Sequence, residues 1–156
     1  MSEIFINRAR ACAFTGHRKL TKDFSIDKLK QTIEKLIDGG FNTFLVGMAL
    51  GFDTECFKIL EGIREQKDIK IIACIPCENQ AQKFPQKDKI EYERMLSVAD
   101  QKVYVSKEYT AWCMQKRNEY MVDNCSVLVS FLRQEKSGTG NTVRYAVKKQ
   151  VMIINL

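Results

Sequence analysis

Six short apolar runs, separated by stretches whose apolar residues fall three and four apart, leave this chain few folds to choose from. The runs cover residues 10–15, 42–48, 69–75, 101–106, 126–132 and 151–155. They are apolar almost without interruption, as in Val127-Leu128-Val129-Ser130-Phe131-Leu132. Strands of that kind have both faces covered, the condition of a parallel sheet with helices above and below. Strand–helix alternation with right-handed crossovers predicts an α/β fold: a doubly wound, mainly parallel sheet with helices on both faces. At 156 residues the length fits a single domain spanning 1–156.

The intervening stretches carry helix punctuation. Ser25 suits an N-cap ahead of Ile26, Leu29, Ile33, Leu36 and Ile37, and Gly39-Gly40 ends that helix. Further helices are predicted over 52–65, 113–123 and 141–149. Residues 80–98 read as mostly helical, with Pro85 breaking the first part.

Composition narrows the partners. Apolar content is 45%, charged content 28% and net charge +6, ordinary for a soluble domain and compatible with an anionic ligand. The lysines scatter instead of forming a block, so no basic stripe argues for nucleic acid as the partner. No apolar run approaches the ~20 residues that span a membrane. The first ten residues lack the apolar core of a secretory leader. The six cysteines therefore read as reduced thiols of a cytoplasmic protein.

Three glycine-bearing turns carry the functional signal. Thr15-Gly16-His17-Arg18 follows the first run, and Gly47-Met48-Ala49-Leu50-Gly51-Phe52-Asp53 follows the second. Ser137-Gly138-Thr139-Gly140-Asn141-Thr142 opens the last helix. Glycine at a strand-to-helix turn lets a backbone N–H approach an anion, and the helix start adds positive potential. In a doubly wound sheet ligands bind outside the carboxyl ends of the strands, where strand order reverses. All three turns occupy that edge, which predicts one composite pocket for a phosphorylated ligand.

Each residue has a stated part in that pocket. Gly16 gives close backbone approach, Thr15 a hydroxyl, and Arg18 a charge-assisted pair for phosphate or carboxylate. His17, the only histidine, suits either a proton donor to phosphate or a plain structural hydrogen bond. Asp53 suits a helix cap, or a grip on a ribose hydroxyl or a metal-bound water. Residues 137–142 form an anion nest without the Lys of a Walker A loop. A side chain at Gly138 is expected to block backbone approach and to meet a positive φ closed to it. Arg117 and Asn118, polar among Trp112, Met114, Tyr120 and Met121, are expected to hydrogen-bond a base or phosphate.

Two further features read as structural. In Cys74-Ile75-Pro76-Cys77 no second pair stands at zinc-finger spacing, so neither zinc nor a disulfide is expected, and Cys74 belongs to the core. Phe84, Tyr92, Tyr104 and Tyr109 include candidates for a base-stacking ring, although aromatics at helical spacing are commonly core.

At these motifs the chain resembles the SLOG superfamily of Rossmann-like nucleotide-ligand binders, and within it the YpsA-like proteins. The resemblance rests on Thr15-Gly16-His17-Arg18, on Gly47-Met48-Ala49 with Gly51 and Asp53, and on Pro76 with Gln80. It continues through Gln115-Lys116-Arg117-Asn118, Met121-Val122-Asp123, Gly138-Thr139, Thr142-Val143 and Tyr145-Ala146. It implies a Rossmann-like fold and a site for nucleotide-derived ligands and supplies no settled reaction; no cofactor and no metal are expected. Cytokinin-activating LOG enzymes, similar in fold, place a catalytic glutamate three residues after their glycine-threonine turn. Here that position is Thr142, and a hydroxyl cannot stabilise an oxocarbenium-like charge as a carboxylate can.

The expectation is capture of a phosphorylated nucleoside or an ADP-ribose-like molecule, with sensing or regulation as the output. The alternative is a hydrolase cleaving an N-glycosidic or phosphoester bond, with Asp53 or Asp88 in place of the missing glutamate. A second alternative is nucleic-acid binding, since DprA-type proteins share the superfamily. A homo-oligomer is left open.

Overall fold

The computed structural model describes residues 4–156. Its core is one six-stranded sheet. The strands are β1 (Ala11–Gly16), β2 (Thr43–Val46), β3 (Lys70–Ile75), β4 (Gln101–Tyr104), β5 (Val127–Phe131) and β6 (Met152–Asn155). The helices are α1 (Ile26–Asp38), α2 (Phe52–Arg64), α3 (Gln86–Val98), α4 (Cys113–Asp123) and α5 (Gly138–Lys148). All five pairings are parallel and the strand order is β4-β3-β2-β1-β5-β6. The chain therefore steps outward from β1 in one direction as far as β4, then crosses back to β5 on its other side. That reversal lies between β1 and β5, where the backbones of two strand ends diverge and leave a crevice.

Why the strands are apolar on both faces is visible along β1. Ala11 and Ala13 point into one hydrophobic layer, and Cys12 and Phe14 into the other. The larger layer packs α1, α2 and α3 with Phe14, Phe44, Phe52 and Phe57, all fully buried. Burying one such side chain contributes about 1.5–3 kcal/mol. The second layer, under α4 and α5, is built from smaller groups: Ala11, Ala13, Cys74, Val122 and Ala146. Small residues on that side let α4 and α5 sit close to the sheet.

Local chemistry sets the helix ends. Ser25 Oγ accepts from the Lys28 N–H at 3.1 Å, as its position suggested. Leu29 and Ile33, four residues apart, supply the buried stripe of α1. Several boundaries differ from the sequence reading, three of them for a visible local reason. Residues 79–84 form turns, and α3 starts only after Pro85, whose ring cannot sit inside the helix. Strand β2 stops at Val46 because Met48 takes a left-handed φ of 65°. Helix α5 begins at Gly138, three residues earlier than predicted, because Ser137 caps it: its Oγ accepts from the Gly140 N–H at 3.0 Å.

All six cysteines are free and buried. Cys74 lies in β3 with no exposure, and burial pushes its thiol up to about 12. Cys77 lies beside Cys113, whose thiol, after burial itself, raises its pKa. Among the described residues no group of three or more His, Cys, Asp or Glu is gathered as a metal site would need. Nor is any helix long and apolar enough to cross a membrane.

Candidate functional site

The crevice at the switch point is a cleft of about 330 Å³. Its walls come from the end of β1, the β2–α2 turn, the inner face of α4 and the start of α5. Ten of the predicted residues line it: Thr15, Gly16, His17, Arg18, Ala49, Asp53, Arg117, Asn118, Gly138 and Thr139. Seven do not: Gly47, Gly51, Pro76, Gln80, Gly140, Asn141 and Thr142.

The glycines of the turns answer to packing before they answer to any ligand. A Cβ on Gly16 would stand 2.3 Å from the Phe52 ring, so β1 and α2 meet at this spot only through glycine. At Gly51 both constraints act: φ is 80°, and a Cβ would fall 2.1 Å from the Arg18 carbonyl oxygen. Gly138 departs from expectation. Its φ is not positive and a Cβ there would meet nothing within 4 Å, so it is an open position on the rim of the cleft.

The early start of α5 redistributes the nest. Gly138 and Thr139 face the cleft, and among the described residues nothing accepts from their N–H groups. The Gly140 N–H is spent on Ser137 Oγ. Asn141 turns its Oδ1 to the Arg144 guanidinium. Thr142 is fully buried and donates its hydroxyl to the Gly138 carbonyl at 2.8 Å. The donors left without an acceptor are thus the first two N–H groups of the helix, the ones that lack intrahelical partners.

Asp53 is the most unusual group. It does not cap α2, since it stands one residue inside the helix after Phe52 and the capping residue is Gly51. Instead its Oδ2 accepts from the Ala49 N–H at 3.1 Å, pulling the β2–α2 turn over the helix start. Its Oδ1 is buried and, among the described residues, is the one buried side-chain polar atom with no hydrogen-bond partner. Burial raises its carboxyl from the ordinary 3.8 to about 6, against the opposing pull of Arg117, the Ala49 N–H and Arg18.

Arg117 is buried, with 6% exposure, rather than a free pocket cation. Its Nε donates to Asn118 Oδ1 at 2.8 Å, and Nη1 donates to the carbonyls of Gly47 and, at 3.5 Å, Cys74. Only Nη2 has no protein acceptor among the described residues. The Gly47 carbonyl also accepts from Gln80 Nε2 at 3.0 Å, and Gln80 Oε1 accepts from the Tyr92 hydroxyl at 3.0 Å. A hydrogen-bonded chain therefore runs from Asn118 through Arg117, Gly47 and Gln80 to Tyr92. This explains why Gly47 and Gln80 lie beneath the cleft instead of lining it.

His17 is a pin. Its Nε2 accepts from the N–H groups of Arg133 at 2.9 Å and Gln134 at 3.2 Å, so the end of β1 holds the β5–α5 loop. Burial and the nearby Arg133 lower its pKa, in keeping with a neutral ring. The proton-donor reading gives way to the structural one. Arg18, by contrast, is exposed and makes no hydrogen bond or ion pair among the described residues, leaving it free at the cleft mouth. Pro76 is buried at the end of β3, where its carbonyl accepts from Ser106. Met114 and Met121 also line the cleft and were not predicted. Their spacing with Arg117 and Asn118, at i, i+3, i+4 and i+7, is the signal that marks them as one helix face.

Comparison with known proteins matches this geometry to a family. The YpsA family model, described as the YspA SLOG family, matches residues 13–153, from β1 into β6. The uncharacterized SPbeta prophage-derived protein YoqJ of Bacillus subtilis (strain 168) is 36% identical over 138 residues, covering 78% of this chain and 80% of that protein. In structure the chain is similar to DNA processing protein A from Streptococcus pneumoniae, with a TM-score of 0.66 at 17% identity. It covers 94% of this chain but only 50% of that one. DNA processing protein A from Helicobacter pylori, which has a single-stranded DNA binding mode, gives 0.69 at 18% identity over 96% of this chain and 66% of that one. These two share the fold. With a family match running the length of the sheet and a relative above one third identity, the chain belongs to the YpsA family of SLOG proteins.

Proposed function

We propose that the protein, acting as a single cytoplasmic domain, captures a nucleotide-derived phosphorylated ligand in the switch-point cleft and serves as a sensor or regulator. One observation carries the reading: a buried acceptor without a donor and two backbone donors without an acceptor belong to residues that line the same cleft. Asp53 Oδ1 calls for a ligand hydroxyl or N–H. The Gly138 and Thr139 N–H groups, at the positive end of α5, call for an anion. A sugar phosphate carries both, and Arg18 adds a mobile charge-assisted contact to the anion. Its volume lies within the roughly 300–1,000 Å³ typical of small-molecule sites. The six free thiols suit a reducing compartment.

Calorimetry with adenosine, AMP, ribose 5-phosphate and ADP-ribose tests this. The phosphorylated compounds should bind and adenosine should not. Absence of binding by every phosphorylated compound at millimolar concentration overturns the reading.

Asp53 also supports a second reading, a hydrolase of an N-glycosidic or phosphoester bond. A carboxyl that titrates at about 6 is poised to hold or take a proton near neutrality, as a general acid or base must. Release of free base or phosphate from the same compounds, lost in Asp53→Asn, would establish it. A salt-dependent gel shift with single-stranded DNA tests the third class, which draws on the DprA-like neighbours.

A further inference from the structure

A second cleft of about 530 Å³ lies beside the first, and Arg18 and Met114 line both. It is not part of the sugar-phosphate site described above. Its far wall comes from the turns at residues 79–84 and from the segment between β4 and α4. Here the chain presents two aromatic rings, Phe84 and Tyr109. Phe84 is fixed edge-on against Tyr92 at 5.7 Å between ring centroids. Tyr109 is 62% exposed, among the largest apolar surfaces left uncovered. Leu50 and Met114 add apolar floor, and the Asn79 and Gln82 amides stand at the rim, joined to each other at 3.3 Å. Of those two amides, Asn79 Oδ1 and Gln82 Nε2 are left without a protein partner among the described residues.

We infer that this second cleft takes the heteroaromatic base of the ligand whose sugar phosphate occupies the first, so that the ligand is a nucleotide and not a sugar phosphate alone. Flat apolar faces with a few amides at the edge are what a base needs: a ring to stack on and partners for its polar rim. Arg18, shared by both clefts and without a protein partner among the described residues, sits between the sugar phosphate and the base. Its planar guanidinium suits either neighbour, stacking on a ring or pairing with phosphate. The inference rests on the sugar-phosphate reading of the first cleft.

The test is calorimetry of ribose 5-phosphate, AMP, GMP, CMP and UMP against the unmodified protein and Tyr109→Ala. Tyr109 is exposed and outside the cores, so its loss leaves the fold in place. At least one nucleotide should bind about tenfold or more tighter than ribose 5-phosphate, equivalent to about 1.4 kcal/mol. Tyr109→Ala should erase most of that preference while leaving the affinity for ribose 5-phosphate unchanged. Equal affinities for ribose 5-phosphate and all four nucleotides would overturn the base cleft and leave the sugar-phosphate site standing. So would a preference that survives Tyr109→Ala. If none of the five binds at millimolar concentration, the sugar-phosphate reading falls and the base cleft falls with it.

Discussion

Replacing Asp53 by Asn is expected to stabilise the protein while abolishing ligand capture. In the folded state burial raises the carboxyl from 3.8 to about 6. The unfolded chain ionises at the lower value, so between the two the folded state holds the extra proton. Stability from this group is complete below the unfolded pKa and is lost as pH rises through the folded one. At about 1.36 kcal/mol per pH unit, the ionised, half-orphaned carboxylate costs about 3 kcal/mol near neutrality. Asparagine is the neutral isostere. Its amide oxygen keeps the Ala49 bond, and no charge is left in the buried position of Oδ1. Thermal melts of both proteins across about pH 4 to 8 measure the effect. Curves that nearly coincide at the acid end should separate on raising pH, with the variant melting about 6–12 °C higher at the alkaline end. His17, whose pKa is lowered, adds an opposite slope, with stability falling as pH drops through its unfolded value, but it does so in both proteins and cancels in the difference. A variant that melts below the parent at alkaline pH, or a gap that does not grow with pH, refutes the reasoning.

Three other outcomes follow from the contacts. Arg117→Ala removes a buried cation that ties α4 to the ends of β2 and β3 and should cost about 3–5 kcal/mol, read by chemical denaturation; an unchanged midpoint would make it a dispensable surface charge. Arg18→Ala should weaken binding of a phosphorylated ligand by about 1.5–3 kcal/mol in calorimetry while the melting temperature changes little, because among the described residues its guanidinium makes no hydrogen bond or ion pair and exerts only the weakest of the pulls on Asp53. Gly140→Ala drives a Cβ to 1.9 Å from the Glu135 carbonyl oxygen and should cost about 1–3 kcal/mol, whereas Gly138→Ala, with open space ahead of it, should leave stability nearly unchanged; the reverse order in a melt would refute the packing account.

The fold was legible because both strand faces are coded locally. Unbroken apolar runs announce a sheet covered on two sides, and Ser25 and Pro85 mark helix starts by their own chemistry. Residues that share the cleft were legible for a similar reason, since strand ends and helix starts of a doubly wound sheet converge. What each residue does there was harder to read. Gly138, Thr139 and Gly140 are poor helix formers, so propensity pointed to a loop, and the Ser137 cap with tertiary packing overrode it. Arg117 reads in the sequence as a cation offered to a base or phosphate, since Arg is seldom buried, and only the three-dimensional meeting of β2, β3 and α4 supplies its carbonyl partners. Nothing in the sequence singles out Met48, yet it takes a left-handed φ between Gly47 and Ala49, at a cost of about 1–3 kcal/mol that the surrounding core absorbs.

The chain of hydrogen bonds from Asn118 to Tyr92 passes through a single oxygen, the Gly47 carbonyl, which receives Arg117 from the wall of one cleft and Gln80 from the wall of the other. Neither donor can re-aim without the other feeling the change at that shared acceptor. Two fragments, one for each cleft, would be thermodynamically linked if binding of either re-aims the donor on its side. Whatever factor the first imposes on the affinity of the second, the second returns to the first. The coupling would be read from the two fragments binding together, unjoined, as the factor by which each changes the affinity of the other.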